Sequence, residues 1–94
     1  MTKLTSDDIV QRKDDQLIIS ELDEDLVMMD LLNGSYLSLN RTGRIIWEQI
    51  EKPSRIKDII MYLTNRFGID EETCKSETLS FLEEVAEQKV LKII

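Results

Sequence analysis

The side chains with the clearest chemical potential are one thiol, Cys74, and nineteen carboxylates. A catalytic thiol needs a base to make its thiolate, and the chain has no histidine. The same absence removes the usual general base and the commonest metal ligand. A single cysteine completes neither a zinc site nor an internal disulfide. Acidic groups such as Asp23-Glu24-Asp25 occur, but this one sits in a short polar stretch and reads as a solvated loop. No phosphate-binding glycine loop or dinucleotide fingerprint is present. These residues point away from catalysis, and no cofactor or metal is expected.

The 94 residues suffice for one domain, 1–94, with the polar stretch 1–15 as a loosely ordered N-terminal arm. Hydrophobic residues make up 41%, enough for a modest core, and aromatics only 5%, so aliphatic side chains must fill it. The longest apolar runs are about four residues, far short of the roughly 20 that span a bilayer. No signal-peptide pattern opens the chain, so a cytoplasmic protein is expected. The net charge of −7 opposes nucleic-acid binding, which needs a basic footprint. A basic partner segment suits this charge better.

The elements that must position any binding site split into a β half and an α half. Residues 16–22, 26–32 and 35–39 carry strand signals, with Asn33-Gly34 between the last two as a two-residue hairpin turn. That turn sets Leu32 opposite Ser35, Leu31 opposite Tyr36, Met29 opposite Ser38 and Met28 opposite Leu39. One face then carries Val27, Met29, Leu31 and Tyr36. The other carries Met28, Leu32, Leu37 and Leu39, with Asp30 among them. Ile9 to Arg12 reads weakly as a further strand. Asn40 caps a first helix, 41–51, which Lys52-Pro53 ends. Ser54 is expected to cap a second, 55–67, with Gly68 in the left-handed position behind it. Asp70 caps a third, 71–88, whose first turn holds Glu71 and Glu72.

Two features suggest a peptide-binding groove. On the third helix, Cys74, Thr78, Phe81, Leu82 and Val85 belong, with Leu79 and Ala86, to an apolar arc about 160° wide. A helix resting on one core needs about 100°. The surplus half is expected to face a groove, unless the helix is simply buried more deeply. The second feature is Ser35 to Leu39, the last strand of the meander. It has no lysine or proline to blunt its free edge, so an extended peptide could add there, unless the N-terminal segment covers it.

Asn33 to Trp47 resembles the G-x-Y-x-x-L-N-x-T-G-x-x-I-W stretch of the PqqD-like family, the RiPP recognition elements. Leu79, Phe81-Leu82, Val85 and Val90-Leu91 resemble its closing helix, and Lys89 stands where many members have glycine. The likeness covers residue 16 to the end. It implies an α+β, winged-helix-like fold: a three-stranded antiparallel β-meander followed by three α-helices. It also implies a protein that binds the leader of a ribosomally made precursor peptide and presents it to a peptide-modifying enzyme or leader peptidase. The lasso-peptide and PQQ pathways are both of this type. Carried over by position, Ser35, Tyr36, Leu37, Ser38 and Leu39 would pair with the leader. Cys74, Thr78, Phe81, Leu82 and Val85 would offer the cleft. Thr42, Gly43 and Trp47 read as structural. The alternatives are a DNA-binding winged-helix regulator, which shares the fold but not the charge, and an acidic module for a basic protein partner.

Overall fold

A computed structural model describes residues 3–13, 17–22, 25–31, 34 and 36–94. Its elements are β1 (Ile9–Arg12), β2 (Leu17–Leu22), β3 (Asp25–Asp30), β4 (Tyr36–Leu39), α1 (Arg41–Gln49), β5 (Ser54–Arg55), α2 (Ile56–Phe67), α3 (Glu71–Glu87) and β6 (Leu91–Ile93). The described strands form two antiparallel three-stranded sheets, ordered β2-β3-β4 and β5-β1-β6. With three helices, this is the expected α+β meander-plus-helices fold, extended by a second small sheet.

The helix starts follow local chemistry. Asn40 Oδ1 accepts from the Gly43 N–H at 2.8 Å, and Asp70 Oδ2 accepts from the Thr73 N–H at 3.2 Å. Gly68 closes α2 at φ 64°, a conformation that costs glycine little. Ser54 does not cap α2. It lies in β5, paired with Val10, and its hydroxyl donates to the Gln49 and Lys52 carbonyls. Arg55 is the N-cap instead, with no side-chain cap bond. The pairing of β5 with β1 competes with capping here and wins.

The hairpin register also differs from the sequence reading. Met29 faces Tyr36, Met28 faces Leu37, Val27 faces Ser38 and Leu26 faces Leu39. This is a shift of two residues. The Gly34 N–H donates to the Asp30 carbonyl at 2.9 Å, with Gly34 at φ 68°, so the chain turns over a longer loop than two residues. Leu32, Asn33 and Ser35, and the Asp23-Glu24 loop, lie outside the described residues. A shift of two preserves the side-chain faces, because strand periodicity is two. Leu26, Met28, Asp30 and Leu39 are buried, while Met29, Leu31 and Tyr36 are exposed.

Each helix commits one stripe to the core. It is Ile46 and Trp47 on α1; Ile56, Ile59, Ile60 and Leu63 on α2; and Cys74, Thr78, Leu82 and Val85 on α3. Several residues of the expected N-terminal arm pack against the rest of the domain. Leu4 is buried, β1 lies at the centre of the second sheet, and Arg12 donates to the Trp47 carbonyl at 3.1 Å.

Lys89 follows α3 at φ 62°, the described non-glycine residue in the left-handed region. This region costs an L-residue about 1–2 kcal/mol, partly offset by the freedom glycine adds to the unfolded chain. Lys89→Gly is therefore expected to stabilise the fold by about 0.5–1 kcal/mol and raise the melting temperature by about 3–6 °C. A thermal melt that falls instead would show that Lys89 makes contacts outweighing its strain.

Candidate peptide-binding cleft

The site grows from the free edge of β4. Among the described residues β4 pairs with β3 alone in its sheet, and β1 belongs to the other sheet. At one end, Tyr36 and Leu37 share a shallow depression with Gln88 and Val90, floored by Leu17, Met28 and Asp30. Beyond the other end, where Leu39 passes into Asn40, lies a cavity of about 390 Å³. It lies between the start of α1 (Asn40, Thr42, Gly43, Ile46) and α3 (Ser76, Glu77, Ser80, Phe81, Glu84). The start of β4 thus lies near Gln88, just past the end of α3, and the residue after β4 lies near Phe81 and Ser80, further back along that helix.

The structure separates the residues singled out on α3. Cys74, Thr78, Leu82 and Val85 are at most 2% exposed and belong to the core. The Cys74 thiol points at the Ile60 carbonyl (3.7 Å) and the Thr78 hydroxyl (3.9 Å). Phe81 is the member of that set that reaches the cavity wall. The surplus half of the apolar arc, Leu79 and Ala86, also packs against the core. The cavity is lined instead by the polar flank of α3, starting at Phe81 and continuing through Glu77, Ser80 and Glu84. Sequence reasoning missed this because it sought a groove among apolar positions. An aromatic ring set between two carboxylates at i−4 and i+3 is the signal that could have found it.

Gly43 packs against the Phe81 ring of α3. A Cβ there would lie 3.1 Å from Phe81 Cε1, so glycine leaves the ring its place in the cavity wall. Gly43 and Trp47 are buried, and Thr42 joins Gly43 in the cavity lining. Of the two arginines in α1, Arg44 bridges to Glu21 on β2 and to Glu48 at 3.6 Å, fastening the helix to the meander. Arg41 is exposed.

The outward surface of α3 carries Glu71, Glu72, Glu77, Glu84 and Glu87 against a single Lys75. That surface repels phosphate and disfavours a recognition helix for DNA. Among the described residues no three His, Cys, Asp or Glu side chains gather to hold a metal ion, and no helix is long and apolar enough to cross a membrane.

An antiparallel meander followed by three helices, with a cavity between the start of the first helix and the third, defines a winged-helix-like α+β domain. The chain belongs to the PqqD family: the family model described as Coenzyme PQQ synthesis protein D (PqqD) matches residues 25–91. Two solved structures share the fold. One is TbiB1 in complex with the TbiA(beta) leader peptide, with a TM-score of 0.74 and 23% identity, covering 87% of this chain and 94% of that one. The other is a lasso peptide synthetase B1 complexed with the leader peptide, with a TM-score of 0.69 and 15% identity, covering 88% and 96%. No curated protein matches the chain by sequence.

Proposed function

We propose that this protein is a non-enzymatic adaptor that binds the leader of a ribosomally made precursor peptide and presents it to a modifying enzyme. A leader peptidase or cyclase of a lasso-peptide pathway fits best, and a radical-SAM enzyme is the other candidate. The observation that carries this reading is the open edge of β4 beside the α3 cleft. Strand β2 is the other outer strand of the sheet. A peptide added there would gain backbone hydrogen bonds alone. Beside β4 it gains the same bonds and also buries alternate side chains against α3. The family membership and the two leader-bound relatives of the same fold support the choice.

In this reading Tyr36, Leu37, Ser38 and Leu39 pair with the leader, and Ser35 would extend the pairing. Phe81 lines the cleft, while Cys74, Thr78, Leu82 and Val85 hold α3 at the right distance. The output is proximity. A captured leader raises the local concentration of the peptide to be modified at the enzyme. Nothing in this role needs a cofactor, and it suits the cytoplasm, where precursor peptides are made.

Fluorescence anisotropy with labelled leader peptides, the TbiA(beta) leader among them, tests the reading. Submicromolar binding by at least one leader, competed by its unlabelled form, is expected. A panel of lasso and PQQ-type leaders that all fail to bind would reject it.

A further inference from the structure

Resting on the leader-binding reading, we infer that the wide end of the cleft selects a lysine or arginine of the bound peptide. Glu77, Phe81 and Glu84 stand at i, i+4 and i+7 on α3, so they form one stripe with the ring between two carboxylates. All three line the 390 Å³ cavity at the end of β4. Among the described residues neither carboxylate has an ion-pair or hydrogen-bond partner, whereas Glu83 accepts the Leu4 N–H at 3.0 Å and Glu48 faces Arg44.

No lysine or arginine lines the cavity. The amino end of α1 also borders it, but its Gly43 N–H is already taken by Asn40 Oδ1. A cation over the Phe81 ring would meet the negative face of the ring and sit within reach of both carboxylates. An acidic side chain would be repelled there, and an aliphatic one would strip water from two carboxylates without replacing it. Position decides which peptide residue this is. Asn40, which lines the cavity, directly follows Leu39, so in this reading a strand added along β4 runs toward the cavity and places the basic residue at a fixed offset beyond the paired segment. The apolar depression at the Tyr36 end then fixes the register, and the charged end supplies selectivity among leaders.

The test uses the full chain and a display library of randomised 12-residue peptides. The selected peptides are expected to share Lys or Arg at one fixed offset from their apolar positions. For a selected peptide, the pair E77Q and E84Q should weaken binding about 10-fold. Replacing its basic residue by norleucine should cost a similar factor in the wild type and almost nothing in the double variant. Both glutamates are exposed, so the folded state persists in the variant. Peptides that shift the amide signals of residues 36–39 yet share no basic position would overturn the inference and leave the leader reading standing. So would a lysine-to-norleucine ratio unchanged by E77Q/E84Q. Selected peptides that leave those signals unmoved, or a library that yields no binder, would overturn both.

Discussion

Leu82→Ala is expected to cost about 3–4 kcal/mol of stability and to leave leader affinity nearly unchanged once folding is restored by cooling. Leu82 is fully buried, and its truncation leaves a cavity in a stripe flanked by Thr78 and Val85. A domain of this size holds roughly 5–15 kcal/mol in all, so the melting temperature should fall by about 12–20 °C. Phe81→Ala should show the opposite balance. Phe81 is half-buried and borders the cavity, so its loss should cost about 1–2 kcal/mol of stability but about 10-fold in affinity. Thermal melts and anisotropy titrations on the two variants separate the roles. If Leu82→Ala abolished binding and barely moved the melt, Leu82 would face the cleft rather than the core.

The second large effect concerns the backbone of the peptide. A strand added to β4 points alternate N–H groups at that edge and the others away from it. Methylating an inward nitrogen removes one hydrogen bond and forces a methyl group against the β4 backbone. Each such change is expected to weaken binding about 10- to 100-fold, since a lost bond alone contributes about 0.5–1.5 kcal/mol and the clash adds to it. Methylating the intervening nitrogens should change affinity less than about 3-fold. A scan of singly N-methylated leader peptides should therefore show a period of two over the paired segment. A peptide bound as a helix would show no such alternation.

Features set by neighbours in the chain were legible in the sequence. Asn40, Asp70 and Gly68 announce helix ends because each acts on backbone within a few residues of itself. The faces of β3 and β4 were legible too, since alternation survives the two-residue register shift. What escaped depends on distant partners. Strands β5 and β6 are two and three residues long and exist because β1 lies between them. Ser54 carries a capping side chain but is claimed by that sheet. On α3 the broad apolar arc marks a helix buried between neighbours rather than a surplus face turned to a groove. Packing against α2 and β6 absorbs that arc, and the cleft wall falls to Phe81 and the acidic flank. The single aromatic ring in that flank reads as a binding feature only once α1 stands opposite it.

The most direct measurement of the central claim is a titration of the isotope-labelled protein with a bound leader peptide, followed by amide chemical shifts. The expected result is a continuous track of perturbed amides along β4, residues 36–39. It should continue over Asn40 to Gly43 and along the cleft-lining residues of α3 between Ser76 and Gln88. Shifts concentrated on β2, or confined to α1 and α2 away from the cleft, would contradict strand addition at β4.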